Sequence, residues 1–315
     1  MKVTITTPCR LHLSLIDLSG SLGRIDGGVG ISLAEPKVVV EAVKSDRFNI
    51  AAGERSGELR TLALKILKAC KLDGNISLTV RQQIPRHSGL GSTTQLYLAV
   101  AKAILELHGM HAKVREIAVL AGRGGTSGIG VAAFESGGFI IDCGHSFGAG
   151  RDKNDFLPSA YAKAKPPPVA VRLDFPNWHT ILCIPQGHGL HGSRELAYFK
   201  NHFPAKESEA EKISRILLMK MIPAVLESNL KEFDQSVRLM NKARSFTFPK
   251  ESQEIMQIAS KLGGRGTSLS SFGPAVFTFT DNAKTAEKIK QKIKDYGTVV
   301  TTHAQNCGAA VVKKA

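Results

Sequence analysis

A short glycine-containing stretch, residues 85–94, constrains the fold of this chain more than any other part of its sequence. It reads PRHSGLGSTT and lies between a strand-like alternating segment at 75–81 and a striped, helix-like segment that ends near Gly109. Its glycines let the backbone approach an anion closely, and the hydroxyl residues after them are favourable N-caps at the positive end of a helix. We therefore predict a phosphate or pyrophosphate loop whose ligand residues are Pro85, Ser88, Gly89, Leu90, Gly91, Ser92 and Thr93.

The N-terminal segment 3–17 alternates between apolar and polar residues, as a half-buried strand does. A glycine-dense stretch, 20–30, follows it and carries one arginine and one aspartate. Such a stretch forms either a backbone that folds tightly against a ligand or a long hairpin turn, and the spacing alone does not decide between them. The polar residues of these two segments that we predict as catalytic candidates are Arg10, His12, Asp17, Arg24 and Asp26.

A second glycine-rich stretch, 122–130, reads GRGGTSGIG and precedes a short helix of small residues and a strand at 138–142. Its amides can face the same anion as the first loop, or its glycines can simply allow a helix to pack closely. Both interpretations stay open from the sequence. Gly124 and Ser127 are the binding candidates in this stretch.

The composition restricts the kind of partner that the chain can have. With 315 residues and 43% hydrophobic content, it can build two domains or one large α/β unit. It has no apolar run long enough to span a bilayer and no signal peptide, so we expect a cytoplasmic protein without a membrane partner. The net charge of +15 suits nucleic acid or polyanionic small molecules. Because the basic run 284–294 has helix-spaced apolar residues and only 6% of the chain is aromatic, we predict no nucleic acid.

Motifs that would indicate other chemistries are weak or missing. The five cysteines stand singly, which argues against a zinc ribbon or a disulfide framework and predicts buried thiols. Residues 187–192 match the dinucleotide pattern G-x-G-x-x-G, but Pro185 intervenes and no parallel strand follows at the expected spacing. The pair His188 and His191 has no third ligand placed with it, so it does not indicate a metal site. The Walker loop G-x-x-x-x-G-K-[ST] is missing.

The proline-rich segment 163–168, KAKPPP, marks a shift in composition. Such a segment is stiff and polyproline-like, so we predict a domain boundary there, with a first domain at 1–165 and a second at 166–315. In the second domain the periodicity predicts strands at 169–173 and 179–184, then helices, and finally a strand, a helix and a strand.

Three stretches resemble the GHMP kinase superfamily, which includes galactokinase, homoserine kinase, mevalonate kinase and phosphomevalonate kinase. Residues 85–94 resemble its P-x-x-x-G-L-G-S-S signature, residues 8–15 its N-terminal motif, and residues 270–277 its C-terminal glycine-proline strand. The resemblance implies an α+β, two-domain GHMP-kinase-like fold, with a ribosomal-protein-S5-like N-terminal domain and a ferredoxin-like C-terminal domain. It also implies that Gly273 belongs to the phosphate site.

One position departs from the superfamily pattern. In these kinases an aspartate ahead of a Gly-Gly strand acts as the general base on the phosphoryl acceptor. The equivalent stretch here, 128–138, reads GIGVAAFESGG, and Gly130 stands about where that aspartate would be. Because a glycine neither accepts a proton nor holds a magnesium ion, the departure argues against phosphoryl transfer through that base.

Within the superfamily, the chain resembles the family of β-ribofuranosylaminobenzene 5′-phosphate synthases. The strings RLHLSLID at 10–17, GRIDGG at 23–28 and GRGGTSGIG at 122–130 look like that family's motifs. The resemblance implies a homodimeric glycosyltransferase of archaeal tetrahydromethanopterin biosynthesis. Such an enzyme condenses phosphoribosyl pyrophosphate with 4-hydroxybenzoate or 4-aminobenzoate, releases pyrophosphate and CO2, and forms a C-riboside 5′-phosphate. We expect Mg2+ to accompany the pyrophosphate and no organic cofactor to be needed.

This reaction gives each candidate residue a task. The amides of the first loop would stabilise the leaving pyrophosphate. Arg10 or Arg24 would pair with the benzoate carboxylate or the 5-phosphate, and His12, Asp17 or Asp26 would handle the proton of the para substituent or place the metal. The alternative is an ATP-dependent small-molecule kinase whose base is Asp17 or Asp26. A third class, a basic nucleic-acid-binding module, would show salt-sensitive binding and no turnover.

Overall fold

A long β-hairpin forms the centre of the N-terminal half. The computed structural model describes residues 1–158, 161–186, 189, 192–244 and 246–314. In it, strand β1 (Lys2–Asp17) pairs with β2 (Arg24–Lys44) in antiparallel register. The further strands of this sheet up to residue 173 are β3 (Asn49–Ala51), β4 (Ile76–Gln82), β5 (Phe139–Asp142), β6 (His145–Ser146) and β7 (Val169–Leu173).

The helix that follows the phosphate loop is the centre of the N-terminal core. The helices of this half are α1 (Ser56–Ala69), α2 (Ser92–Leu107), α3 (Val114–Leu120) and α4 (Ile129–Glu135). Helix α2 packs against β1, β2, α1 and α4. Its Leu96, Ala99 and Ile104 are at most 1% exposed, as the apolar stripe of the sequence predicts. The start of α2 is therefore held rigidly against the strand that carries Arg10 and His12.

The second sheet belongs to the C-terminal half. Its strands are β8 (His179–Pro185), β9 (Arg265–Leu269), β10 (Val276–Thr280) and β11 (Gly297–Thr302). The helices are α5 (Gly192–His202), α6 (Glu207–Ile216), α7 (Ile222–Leu226), α8 (Leu230–Ala243), α9 (Lys250–Lys261) and α10 (Ala283–Ile293), with a π-helical segment, Leu217–Met221, between α6 and α7. The antiparallel order β11-β8-β10-β9, with α10 connecting β10 to β11, is ferredoxin-like. The predicted α+β architecture is confirmed.

The strand pairing crosses the division that the proline-rich segment predicts between residues 165 and 166. Strand β7 lies after that point but pairs with β5, and β12 (Ala310–Lys314) returns to pair with β1. The proline-rich segment is itself packed, because Arg115 Nη1 donates to the carbonyl oxygen of Pro167 at 2.7 Å. The difference arises because both strands complete the first sheet through long-range pairing, which a shift in composition does not reveal.

One continuous apolar core joins the two halves. It extends from the N-terminal sheet and α2 to an aromatic group in which Phe175 lies 5.2 Å from Trp178 and 5.3 Å from Phe233, between ring centroids. Strand β10 alternates, so that Phe277 and Phe279 face this core. Its Val276 instead joins a smaller cluster with residues of α9 and α10. The packing of the two sheets against shared aromatic residues fixes the cleft in which the candidate site lies.

The cysteines and the helices bear on two further expectations. All five cysteines are free thiols, and the prediction of buried thiols is confirmed for Cys9 and Cys183. Cys70, at the end of α1, is only partly buried, and the prediction is wrong for Cys143 and Cys307, which are exposed on surface loops. Across the described ranges, no helix is long and apolar enough to cross a membrane.

Candidate active site

Three segments of the sequence meet at the phosphate loop. The backbone N–H of Arg10 in β1 donates to the carbonyl oxygen of Leu90 at 3.2 Å. The backbone N–H of Ala275 donates to the carbonyl oxygen of Ser88 at 3.1 Å. From the turn after β9, Ser270 Oγ donates to the carbonyl oxygen of Gly89 at 2.7 Å. The segments 8–15, 85–94 and 270–277, which resemble superfamily motifs, therefore lie in direct contact.

Two glycines give the phosphate loop its shape. Gly89 and Gly91 both have φ of +81°, in the left-handed region that other residues avoid. A Cβ on Gly89 would overlap the carbonyl oxygen of Ser270, and one on Gly91 would lie 3.1 Å from Arg10 Cγ. Ser88 Oγ also donates to the carbonyl oxygen of Pro85 at 2.7 Å, which closes the turn. The loop thus needs glycine both for its backbone and for the close approach of its neighbours.

The N-terminus of α2 carries no side-chain cap. Gly91 is the N-cap residue, and no side chain accepts a hydrogen bond from the first turn. The prediction that hydroxyl residues cap this helix is wrong, because the left-handed glycine, and not Ser92, occupies the N-cap position. The first-turn amides of Ser92 and Thr93 have no carbonyl partner within the helix, so they are available to an anion.

Two partly buried arginines flank this helix start. Arg10 Nη1 donates to the carbonyl oxygen of Gly89, and Arg123 Nε donates to Thr94 Oγ1 at 3.0 Å. Burial lowers the pKa of Arg10 to about 10 and lowers that of Arg123 as well, but both remain cations at neutral pH. Their positive charge adds to the helix dipole at the same point. The start of α2 is thus a candidate anion site, and Arg123, which was only part of a glycine motif in the sequence, lies beside it.

A cavity of about 320 Å³ adjoins this anion site. Its aromatic wall consists of Tyr198, Phe199, Phe203, Phe246 and Phe272, and its polar residues include Arg10, His12, Ser127, Glu195 and Arg244. Much of the wall comes from α5, which the sequence did not predict. A cavity of this size with aromatic walls and charged ends suits a small planar ring with polar substituents.

His12 is a neutral residue of the cavity. Burial, with additional repulsion from Arg10 and Arg244, lowers its pKa to about 3. Its Nε2 lies 3.1 Å from Ser127 Oγ, which in turn accepts the N–H of Ile129 at 3.3 Å. The imidazole is therefore oriented by α4 and stays uncharged at physiological pH.

Glu195 is the carboxylate that α5 brings to the cavity. Burial raises its pKa to about 7, although the nearby Arg123 and Arg10 act in the opposite direction. A carboxyl group that titrates near neutral pH is typical of functional sites. No motif pointed to Glu195, because it is one of several acids in the C-terminal half.

Arg244 closes the end of the cavity that lies beside β9 and α8. Its Nη1 donates to the carbonyl oxygen of Leu13 at 2.8 Å, while Nη2 donates to Asn241 Oδ1 and, at 3.3 Å, to Ser268 Oγ. Its buried Nε has no acceptor among the described residues. Burial lowers the pKa of this guanidinium to about 10. Sequence reasoning missed Arg244, since it follows a helix without any motif around it.

Three predicted catalytic candidates do not line the cavity. Asp17 Oδ1 accepts hydrogen bonds from the backbone N–H of Ser19 at 2.7 Å and from its hydroxyl at 2.6 Å, which shapes the hairpin turn. Arg24 is exposed and donates to the carbonyl oxygens of Cys143 and Gly144 at 3.0 and 2.7 Å. The contacts of these two residues hold loops together, and neither side chain lines the cavity.

Asp26, the third of these candidates, lies in a buried ion cluster. Its Oδ2 is 2.7 Å from His145 Nδ1 and 2.8 Å from Lys153 Nζ. The glycine-dense stretch 20–30 that contains it forms the hairpin turn and the start of β2. Between the two interpretations of that stretch, the structure therefore favours the hairpin.

The second glycine stretch serves close packing and positions one cavity residue. A Cβ on Gly124 would lie 2.7 Å from Pro166 Cγ, so that glycine allows close packing. Gly128 N–H donates to Asp142 Oδ2 at 2.9 Å, and burial raises the pKa of Asp142 to about 6. Gly124 does not line the cavity, whereas Ser127 does. Asp142, at the end of a buried strand, thus fixes the turn that presents Ser127.

Gly273 and Gly130 occupy two positions that the superfamily resemblance singles out. The N–H of Gly273 donates to the carbonyl oxygen of Ser270 at 2.9 Å, within the turn that supports Gly89. Gly130 lies in α4, where a Cβ would be 3.1 Å from Thr94 Cγ2 in the first turn of α2. A side chain at position 130 would thus point to the anion site, but this chain has none there.

Metal ligands are sparse around the site. Within the described parts of the chain, no group of three or more histidine, cysteine, aspartate or glutamate residues is arranged to hold a metal ion. The pair His188 and His191, and most of the surrounding G-x-G-x-x-G pattern, lie outside the described residues.

Comparison with family models and solved structures agrees with this architecture. The model described as GHMP kinases N terminal domain matches residues 59–138, and the one described as GHMP kinases C terminal matches residues 221–299. The crystal structure of homoserine kinase from Cytophaga hutchinsonii superposes with a TM-score of 0.69 at 19% identity, and the match covers 99% of this chain and 97% of that one. The chain has the GHMP kinase fold.

Two archaeal relatives are much closer in sequence. A β-ribofuranosylphenol 5′-phosphate synthase of Methanothermobacter thermautotrophicus is 42% identical over 331 residues, which cover 99% of both chains. One of Methanocaldococcus jannaschii is 42% identical over 327 residues, covering 96% of this chain and 98% of the relative. With such identity over the full length, the chain belongs to the β-ribofuranosylphenol 5′-phosphate synthase family.

Proposed function

We propose that the protein condenses phosphoribosyl pyrophosphate with 4-hydroxybenzoate, releases pyrophosphate and CO2, and forms β-ribofuranosylphenol 5′-phosphate. The relatives are named for a product in which a phenol ring is joined to a ribofuranosyl 5′-phosphate. The observation that carries the proposal is the position of Arg10. Its guanidinium lies beside Gly91 at the start of α2, and the same side chain lines the aromatic cavity. One residue thus joins a site for an anion to a site for a planar ring.

The anion site suits the leaving pyrophosphate. Amides at the start of α2, Arg10 and Arg123 are all donors fixed by the fold, so they are ready to stabilise the negative charge that develops as the bond to ribose breaks. Because these donors are already buried and oriented, little reorganisation is needed when the charge appears. Departure of pyrophosphate leaves an oxocarbenium-like ribose next to the cavity.

The aromatic cavity suits the attacking acid. The ring carbon that bears the carboxylate forms a bond to ribose C1′ as the bond from C1′ to the pyrophosphate oxygen breaks. The carbon–carboxylate bond then breaks, and its electron pair restores the aromatic ring as CO2 leaves. The reaction is redox-neutral, so the ring itself accepts the electrons and no organic cofactor is required.

His12 is the predicted proton-handling residue that lies in the cavity. Neutral imidazole can hydrogen-bond the para hydroxyl, whereas Asp17 and Asp26 are occupied by other contacts. Arg24 likewise donates to carbonyl oxygens away from the cavity, which leaves Arg10 as the predicted arginine near both substrates.

The kinase alternative lacks support at the position where it needs a base. Gly130 faces the first turn of α2, but a glycine has no side chain that could act as the base. The relatives are named synthases, while the kinases share only the fold at 19% identity or less. A glycosyl transfer in which the loop binds a departing anion explains the absence of that base.

The proposal also includes a metal ion, an oligomeric state and a cellular location. Mg2+ would enter bound to the pyrophosphate of the substrate, because no cluster of ligands for it is found within the described residues. We also infer a cytoplasmic homodimer that acts in archaeal tetrahydromethanopterin biosynthesis. Light scattering coupled to size-exclusion chromatography tests the dimer.

The proposed reaction is tested with carboxyl-labelled 4-hydroxybenzoate. Purified protein, phosphoribosyl pyrophosphate and Mg2+ should release labelled CO2 and pyrophosphate in equal amounts. Omission of phosphoribosyl pyrophosphate is the control for spontaneous decarboxylation. ATP hydrolysis that depends on an added alcohol, without CO2 release, would instead support the kinase alternative.

A further inference from the structure

One long helix of the C-terminal half is apolar around the whole of its second half. Helix α6, the π-helical segment and α7 run without a break, because Leu217 and Ile222 at the two junctions keep α-helical torsion angles. Residues 217–226 include a single charged residue, Lys220. The inward face buries Leu217 and Met221 in the core. A helix that is apolar on its outward face as well is expected to be covered on both sides.

The outward face of this second half is open in the single chain. Leu218, Met219 and Leu226 are 65%, 70% and 64% exposed. Met219 also lines a surface groove of about 470 Å³ together with Leu239 of α8, which is 43% exposed. Together these four side chains form the apolar patch. Single exposed apolar residues are ordinary on a protein surface, whereas a contiguous group of large ones marks an interaction site.

The charges around the apolar patch have opposite signs at its two ends. Lys212 and Arg215 precede the patch along the helix and Glu227 follows it, and all three are exposed side chains that line the groove. Across the described ranges, none of these three forms an ion pair. Lys220, within the patch, is already paired with Glu232 of α8. The patch thus leaves one basic end and one acidic end to be matched by a partner.

This order of charges fits a second copy of the same chain. In a two-fold dimer one surface meets itself, so residue i contacts residue j of the partner and j contacts i. Two antiparallel copies of the helix that set Lys212 against Glu227 of the partner subunit bring Met219 to the axis, because the midpoint between positions 212 and 227 lies just after it. The two charged ends are then about 22 Å apart along the helix. One arrangement therefore covers the apolar side chains and pairs the free charges at both ends.

We propose that the apolar patch is the surface through which two copies of this chain form a homodimer. This inference deepens the proposed function, which includes a homodimer, by naming the surface that forms it. The same helix lines the aromatic cavity with Ala210 and Ile213. The interface therefore braces a helix that forms part of the cavity wall.

The test is the dissociation constant of the dimer, measured on the full chain by analytical ultracentrifugation over a concentration series. A residue at a two-fold axis meets its own copy, so Met219→Asp sets two carboxylates against each other in an apolar surface. We expect Kd to rise at least about 100-fold. Leu64→Asp is the matched control, because Leu64 is a helical leucine outside the patch and is 47% exposed. It should leave Kd unchanged.

Charge reversal tests the antiparallel arrangement. Lys212→Glu and Glu227→Lys each create two like-charge contacts in a symmetric dimer, so each should raise Kd about 10-fold. The double variant restores opposite charges at both ends, and its Kd should return to within about 3-fold of the wild-type value. Such recovery also excludes misfolding as the cause of the two single effects.

The outcomes separate this inference from the rest of the proposed function. A dimer that survived Met219→Asp, or one that Leu64→Asp dissociated equally, would overturn the patch and leave the homodimer to another surface. A wild type that stayed monomeric at about 100 µM would overturn both the patch and the homodimer. None of these measurements requires turnover, so failure of the proposed reaction is seen independently, as the absence of labelled CO2.

Discussion

Two groups of charged side chains in the interior of the molecule differ in whether they form ion pairs with other residues of the protein. Behind the β1–β2 hairpin, Asp26 is 1% exposed and contacts His145 and Lys153 at 2.7 and 2.8 Å. In the cavity, Arg10 and Arg244 donate to neutral carbonyl and hydroxyl oxygens. The first group is an ion cluster that supports the fold. In the second group, the described part of the chain shows no ion pair for either arginine, although the carboxyl group of Glu195 lies near Arg10.

Burial of charge therefore does not by itself mark an active site. A buried ion pair stabilises the fold only if the attraction between its charges exceeds the free energy of removing both from water. Removal of one member leaves the other charge buried without compensation. A buried charge without an opposite charge lowers stability in the free protein and is compensated when a ligand arrives. This difference predicts opposite effects of mutations in the two groups.

The largest effect is expected from Asp26→Asn. Loss of the carboxylate leaves Lys153 and His145 buried without a counter-charge, so the free energy of unfolding should fall by about 3–5 kcal/mol. Urea denaturation measures it, and Asp152→Asn, at an exposed carboxylate nearby, should change it by less than about 0.5 kcal/mol. The folded fraction should keep its kcat. A stable Asp26→Asn protein without activity would contradict the comparison, because it would show that Asp26 takes part in catalysis.

A smaller effect, on catalysis, is expected from Gly91→Ala. The new methyl would press on Arg10 from 3.1 Å and displace the guanidinium from the start of α2. We expect kcat/KM to fall about 100-fold, or about 2.7 kcal/mol, as is typical when a positioning group shifts. Gly109→Ala is the matched control, because Gly109 also has a left-handed φ, of +71°, but open space around it. Equal activity losses in both variants would show that strain, and not Arg10, is responsible.

The smallest effect should be a gain in stability from Glu195→Gln. Burial raises the pKa of Glu195 from 4.5 to about 7 in the folded protein. Between these values the unfolded chain loses the proton while the folded one keeps it, so the wild-type free energy of unfolding falls as pH rises and levels off above pH 7. We expect Glu195→Gln to be more stable by about 1–2 kcal/mol at pH 8 and equal at pH 4.

Urea denaturation at both pH values checks the last prediction, with Glu227→Gln as an exposed control. A destabilised Glu195→Gln protein at pH 8 would mean that Arg10 and Arg123 use Glu195 as a true counter-ion. The cavity would then resemble the Asp26 cluster, and the contrast between the two groups would be lost.

Local rules in the sequence were enough to predict the strand, the glycine loop and the helix between residues 75 and 109. Gly89 and Gly91 act through backbone conformation, which is a property of the residue type, and the stripe of α2 follows from its 3.6-residue period. The same rules did not separate Arg10 from Arg24 or Asp26. All three are polar residues of the first thirty positions, and the pairing of β2 with β5 and β6 shows that Arg24 and Asp26 belong to a different part of the sheet from the cavity.

The rest of the site depends on long-range packing. Arg244 becomes part of the cavity because the end of α8 meets both β1 and β9. These two strands are more than two hundred residues apart in the sequence. Glu195 arrives on α5, which the periodicity of the sequence did not predict, and Arg123 donates to a hydroxyl of α2. None of these neighbours is close in the chain, so no spacing or periodicity could reveal them.

The pairing of β12 with β1 has a consequence for how the chain matures. The strand that bears Arg10 and His12 is made first, yet one of its edges stays open until residues 310–314 emerge from the ribosome. An open edge is a template for association with other chains. Nascent protein should therefore stay vulnerable to association with other chains until residues 310–314 have paired with β1.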